Sequence, residues 1–265
     1  WVLAYRRGET NRVVTQNIVD EALRRCGSKT IFDVRAGLGY TCVLLSDGGC
    51  GLAYTFRNDL GACCGSMNSA GKLIGMSAEE VIPWLMEDNR LKAAIGLATA
   101  NAVFNTNAES YGHGNVIDEI SIESSDTFGM IGEFRPILTK VRAKAKQVYV
   151  FEQKPNLGEG LYSEQQIPHL LPQCSVIVIT STSIINHTID EILPYCANAK
   201  QVCLVGASTP LIPELFRALP ITLLAGVVVT NEDLLLQIVS QGGGTMSMKP
   251  AVDQVLAYVS QSASS

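Results

Sequence analysis

Ser175-Val176-Ile177-Val178-Ile179-Thr180-Ser181-Thr182-Ser183 and, further on, Gln201-Val202-Cys203-Leu204-Val205-Gly206-Ala207-Ser208-Thr209-Pro210 decide the fold. Each begins as an almost unbroken β-type apolar run and ends in small or hydroxyl-bearing residues. Two more runs behave alike: one ending at Phe128 passes into Gly129-Met130-Ile131-Gly132, and Thr222-Leu223-Leu224 passes into Ala225-Gly226. Strands apolar on both faces, alternating with helical segments, belong to a parallel sheet covered on both sides. Such sheets bind ligands at the carboxyl ends of their strands, where these polar knots lie.

Working outward, helical patterns occupy residues 136–145, 163–171, 188–195, 231–241 and 250–260, with a short one near 213–219. Ser163-Glu164-Gln165-Gln166 and Thr188-Ile189-Asp190-Glu191 have the spacing of capping boxes. The expectation is a mainly parallel sheet of about five strands from Thr127 onward. The first half reads differently. Residues 11–26 carry a helical stripe of Val13, Val14, Ile18, Ala22 and Leu23, stopped by Gly27. Strand-like runs follow at 30–36, 40–45 and 51–56, with Asp47-Gly48-Gly49 as the hairpin signal between the last two. Ser77-Ala78-Glu79-Glu80 is a capping box, and Pro83 lies too deep for its helix to continue freely. Residues 91–104 form an Ala-rich helix that must be buried nearly all round, and polar residues 105–115 are the linker candidate. The class is α/β: an α+β meander over residues 1–110, then a Rossmann-like unit over 111–265, meeting near 105–125.

Composition narrows the function. With 47% hydrophobic and 17% charged residues the chain can bury a substantial core, and its net charge of -5 argues against nucleic acid as a partner. Gly, Pro or charge interrupts every apolar stretch before it could span a bilayer, and no secretory pattern opens the sequence, so the expected location is the cytoplasm. The eight cysteines then read as reduced thiols. Cys42 and Cys203 lie in apolar runs; Cys50, Cys63 and Cys64 form a local cluster open to an incidental or a metal or redox reading. These three with His113, His169 and His187 are too scattered to predict a preformed metal site, and His187 reads as a solvent-facing side chain.

Gly129 and Gly132 sit between strand and helix, where backbone amides can approach a ligand; a tight packing turn explains them as well. Glu152 ends the next strand, twenty residues beyond Gly132, an incomplete echo of the dinucleotide fingerprint. Thr180, Ser181, Thr182, Ser183, Asn186 and Thr188 form the densest set of uncharged donors and acceptors. Such a loop can satisfy its own backbone or contact a ligand. Gly206, Ser208, Thr209 and Gly226 complete the candidate binding residues; Gly242-Gly243-Gly244 reads as a flexible turn after a helix, open to a role in ligand approach as well. No catalytic residue and no cofactor can be assigned, because no nucleophile elbow, Walker loop or HExxH pattern is present.

At these residues the chain resembles a known family. Gly37-Leu38-Gly39-Tyr40-Thr41-Cys42-Val43 and Gly49-Cys50-Gly51-Leu52-Ala53 resemble the leading domain of a prokaryotic family labelled "putative heavy-metal chelation", domain of unknown function 364. Phe151-Glu152-Gln153-Lys154-Pro155, Thr180-Ser181-Thr182 with Asn186 and Thr188, Val205 through Pro210, and Ala225-Gly226 are similar to its carboxyl-terminal half. The resemblance implies a leading domain like the one that precedes the enolase barrel and a Rossmann-like second domain. It carries no established reaction. Ser181 stands where the family often has Gly.

Three readings follow. The first is a small-molecule binding protein with a cleft at the strand ends, the family label adding a heavy metal, held through a ligand, or a metal-bearing cofactor. The second is an enzyme using a nucleotide-, pterin- or flavin-like cofactor there, with Glu152 on a ribose or ring nitrogen. The third is an assembly module with a vestigial pocket. The partner is a small molecule rather than nucleic acid or membrane, with a homo-oligomer left open.

Overall fold

A computed structural model describes residues 12–59, 67–153 and 160–260. Cys63, Cys64, Lys154 and Pro155 fall outside them. Helix α1 (Val13–Cys26) buries Val14, Ile18, Val19, Ala22 and Cys26 along one stripe, and Gly27, at φ 58°, ends it. Strands β1 (Ile31–Ala36), β2 (Tyr40–Leu45) and β3 (Cys50–Tyr54) form an antiparallel meander in that order. The Ser77 box forms as read: Ser77 accepts from the Glu80 amide, and the Glu80 carboxylate accepts from the Ser77 amide. It opens the short α2 (Ala78–Val81), and at Pro83 the chain tightens into a 3-10 turn over Ile82–Met86.

Helix α3 (Arg90–Phe104) explains its own composition. Every residue from Ala93 to Phe104 is buried, because one face lies on the meander and the others on α1, the 3-10 turn over Ile82–Met86 and residues 182–185. A helix flanked on both sides needs small side chains to let its neighbours approach. Residues 105–115 are not a free linker. Asn105 is buried, its amide nitrogen donating to the Thr209 carbonyl at 3.0 Å while its oxygen accepts from the Leu211 amide at 2.9 Å.

Among the described residues, the second sheet has eight strands. In chain order they are β4 (Gly112–His113), β5 (Thr127–Ile131), β6 (Gln147–Glu152), β7 (Leu161–Ser163), β8 (Val176–Thr180), β9 (Gln201–Val205), β10 (Leu223–Val229) and β11 (Val252–Tyr258). Across the sheet the order is β4-β11-β10-β9-β8-β5-β6-β7, and the six from β10 to β7 are parallel. From β5 the chain winds outward through β6 and β7; from β8 it winds the opposite way. The reversal between β5 and β8 is the topological switch point, where a crevice opens. The helices in order are α4 (Val116–Glu119), α5 (Arg135–Arg142), α6 (Ile167–Leu170), α7 (Thr182–Ile185), α8 (Ile189–Ile192), α9 (Glu232–Ser240) and α10 (Thr245–Met248).

Several expectations need correction. The helix expected over 250–260 is absent: after a 3-10 turn at Lys249–Ala251, β11 pairs antiparallel with β10 from Leu223↔Tyr258 to Val229↔Val252. Pairing with an otherwise open strand edge outweighs a weak helical spacing. The sheet exceeds about five strands because β4 and β7, two and three residues long, are too short to show a period. The run from Leu223 does not stop at Ala225-Gly226 but continues to Val229. Thr188 stands at the N-cap of α8 but forms no capping box: its hydroxyl donates to Asn186 Oδ1 at 2.8 Å instead. The helices expected over 163–171 and 188–195 break into short α and 3-10 turns, interrupted at Pro168, Pro172 and Pro194.

The core runs across both sheets. One buried cluster joins Ile18, Val43 and Leu97 to Phe151, Ile179, Ile184 and Leu204. Among the described residues, no helix is long and apolar enough to cross a membrane.

Candidate functional site

The crevice at the switch point is a cavity of about 340 Å³. Gly132, Glu152, Thr180 and Ser181 line it, as do Thr182, Asn186, Gly206 and Ser208. Their convergence follows from strand polarity: β5, β6, β8 and β9 all end on the same edge. Gly132 follows β5 at φ 81°, and a β-carbon there would lie 3.0 Å from Thr180 Cγ2. Gly206 follows β9 at φ 137°, and its β-carbon would lie 2.6 Å from Ser181 Oγ. Both turns require glycine on conformational and steric grounds.

Three residues named with them lie elsewhere. Gly129 is inside β5, where a β-carbon would press on Leu171 and on Cys174 Sγ at 2.9 Å. Thr209 is buried and donates to the Ala225 carbonyl at 3.0 Å. Gly226 is inside β10 beneath Leu211 and Thr209. Close packing accounts for all three. The Gly242-Gly243-Gly244 turn also has a packing role: a β-carbon on Gly243 would strike Ile238 Cγ2 at 2.3 Å.

Much of the hydroxyl loop is satisfied internally. Thr180 Oγ1 and Thr182 Oγ1 lie 2.9 Å apart, and Ser183 Oγ donates to the Thr180 carbonyl at 2.7 Å. Ser181 differs: it is 1% exposed and its Oγ is buried without a hydrogen-bond partner. An unmatched buried hydroxyl costs about 1–3 kcal/mol, and among the described residues Thr15 Oγ1, Asn101 Oδ1 and Asp190 Oδ2 are likewise unmatched. His187 is not solvent-facing. It is buried at φ 63°, with Nε2 2.8 Å from the Leu85 carbonyl oxygen.

The acidic wall was only partly legible. Glu152 Oε1 accepts from the Glu133 amide at 2.7 Å, which fixes the carboxylate at the mouth of the β5–α5 turn. Glu164 Oε2 accepts from Gln153 Nε2 at 3.0 Å. Burial raises the Glu164 pKa, with the Gln153 bond opposing and the charges of Glu152 and Glu191 adding. Glu133 and Glu164 line the same cavity; Glu133 carries no motif, and Glu164 was read only as part of the Ser163 cap. Tyr40, Tyr54 and Phe56 form the opposing wall from the meander, with Tyr54 edge-on to Tyr40 at 6.0 Å and to Phe56 at 5.2 Å. No spacing rule could place them there, since they reach the cavity only through packing of the two sheets.

Two family models cover the chain. One, domain of unknown function 364, matches residues 115–257, and the other, domain of unknown function 4213, matches residues 19–104; both are described as "Putative heavy-metal chelation". The chain belongs to this family. An uncharacterized protein of Methanocaldococcus jannaschii is 26% identical over 250 residues, spanning 90% of this chain and 95% of the relative. A crystal structure from the family in Pyrococcus horikoshii, of unknown function, superposes with a TM-score of 0.82 at 24% identity, covering 93% of this chain and all of that one. Another from Desulfitobacterium hafniense, also of unknown function, gives 0.77 at 22% identity, covering 92% and 98%. At these identities the likeness speaks for the fold.

Among the described residues, the donor set of the cavity does not suit a heavy-metal ion bound directly. Soft metals favour thiolate and imidazole, whereas carboxylate, hydroxyl and amide groups line this cleft. Burial pushes the thiols of Cys42, Cys174, Cys196 and Cys203 up to about 12, so they stay protonated at neutral pH. Among the described residues no three His, Cys, Asp or Glu side chains are grouped so as to hold a metal ion.

Proposed function

We infer that the protein binds a small molecule in the cleft between the parallel strand ends and the meander. A metal handled by the family then arrives through such a ligand rather than on protein donors alone. In this reading residues 1–110 act as an enolase-N-terminal-like lid, residues 111–265 as a Rossmann-like platform, and the protein works in the cytoplasm. Gly132, Glu152, Thr180, Ser181, Thr182, Asn186, Gly206 and Ser208 are the binding residues.

The observation that carries the reading is the Ser181 hydroxyl, buried and without a partner on the wall of a cavity at the switch point. The test is mass spectrometry of small molecules released by heat from protein purified without exchange. A Thr182→Trp variant, which fills the cavity, is the control. One compound should leave the wild type in stoichiometric amount and be absent from the variant at an unchanged melting temperature. Equal recovery from both would count against the cleft.

A further inference from the structure

We propose that this cleft takes an organic cation on an aromatic frame, such as a protonated amine, amidine or guanidine, and rejects anions; this rests on the reading of the cleft as a small-molecule site. The charge inventory is one-sided. Glu133, Glu152 and Glu164 line the cavity, and among the described residues no Lys, Arg or His does. Glu133 is balanced at the rim, 3.5 Å from Arg135 Nε. Glu152 and Glu164 form no ion pair with any described residue.

Each of these two carboxylates has one oxygen engaged by a neutral donor, the Glu133 amide or the Gln153 side chain. Glu152 Oε2 and Glu164 Oε1 accept from no donor among the described residues. Two carboxylates in a semi-enclosed site repel a phosphate or carboxylate ligand and favour a donor-rich cation. The opposing wall of Tyr40, Tyr54 and Phe56 supplies what such a cation also seeks, since aromatic rings attract organic cations through their quadrupoles. The unpartnered Ser181 Oγ can then accept an N–H from the same ligand. A pyrophosphate, which the spacing of Gly132 and Glu152 superficially suggests, would find no basic side chain among the described lining residues.

The probes are benzamidine, benzamide and benzoate, which share a shape and differ in charge, titrated calorimetrically into the wild type. Benzamidine should bind roughly tenfold or more tightly than benzamide, as one charge-assisted contact implies, with benzoate weakest. Glu152→Gln/Glu164→Gln should abolish the preference at an unchanged melting temperature, because glutamine keeps the oxygens that accept from the Glu133 amide and from Gln153. The single variants serve if the pair fails to fold, as read from its melting temperature. Benzoate or benzamide binding as tightly as benzamidine overturns the proposal, as does a preference that survives the substitutions or no benzamidine binding at millimolar concentration. Submicromolar zinc or nickel binding lost in the glutamine variant overturns it in favour of a metal site. Thr182→Trp separates the two levels: charge-blind binding lost in this variant sinks the cation proposal alone, whereas binding of all three probes unaffected by it sinks the cleft reading as well.

Discussion

The backbone amide of Tyr54, at the end of β3, donates to the side-chain oxygen of Ser208, beyond the end of β9, at 2.8 Å. The Ser208 carbonyl in turn accepts from buried Asn101 Nδ2 at 3.1 Å, and that nitrogen also donates to the Leu52 carbonyl at 2.8 Å. The meander, α3 and the parallel sheet are therefore stitched together at the cavity wall. Ser208→Ala removes the acceptor from a partly buried amide and should cost about 1–3 kcal/mol. Urea unfolding should show a lower midpoint with an unchanged slope; an unaltered midpoint would mean that water replaces the hydroxyl.

Gly206 and Ser181 form a coupled pair. Gly206→Ala should destabilise by about 1–3 kcal/mol, since its backbone lies at φ 137° and the new β-carbon meets Ser181 Oγ. Ser181→Ala should leave the ligand-free protein as stable or slightly more so, because it removes an unmatched buried hydroxyl. Combined, the two changes should cost less than their sum. A double-mutant cycle of melting temperatures checks this, and strict additivity would place the hydroxyl elsewhere.

His187 gives the fold an acid-sensitive element. Burial lowers its pKa; the Leu85 bond and Asp88 oppose the shift, and Arg12 and Arg90 reinforce it. The unfolded chain therefore binds the proton first. The contribution of His187 is complete above about pH 6.5 and is lost as pH falls from there through the depressed folded value. His187→Asn, which tolerates the left-handed backbone and does not titrate, should flatten that part of the stability curve. A slope retained by the variant would assign it to another group.

Asp126 clamps the amino ends of three strands. Its carboxylate accepts from the Glu123 amide at 2.8 Å, from Ser175 Oγ at 2.7 Å, and pairs with Lys200 at 2.9 Å. Burial pushes its pKa up, but the Glu123 amide, Lys200 and Ser175 together hold it below the usual value. Its contribution is present above about pH 4 and disappears as pH falls through the folded value. Asp126→Ala should cost at least about 1.5–3 kcal/mol, the scale of one charged hydrogen bond. A loss that does not shrink towards pH 2 would refute the electrostatic account.

Strand runs such as Val176–Thr180 and Gln201–Val205 were legible from the sequence because burial on both faces leaves an unbroken apolar signature. The glycines and hydroxyls that follow them were legible for a related reason. Parallel strands end on one edge, so Gly132, Glu152, Thr180 and Gly206 had to come near one another once the sheet formed. Local chemistry also sufficed for α1, the β1–β3 meander and the Ser77 cap, which depend on neighbours in sequence. Tertiary structure decided the rest. It made residues 252–258 a strand by offering them the edge of β10, and it buried His187 against Leu85. It also kept Gly129 and Gly226 within strands, where overlying side chains leave no room for a β-carbon. The hairpin register alone sets Tyr40 opposite Tyr54, but only the packing of the meander brings these rings and Phe56 to the cavity beside Glu152 and Thr180, and such long-range packing leaves no periodic trace in the chain.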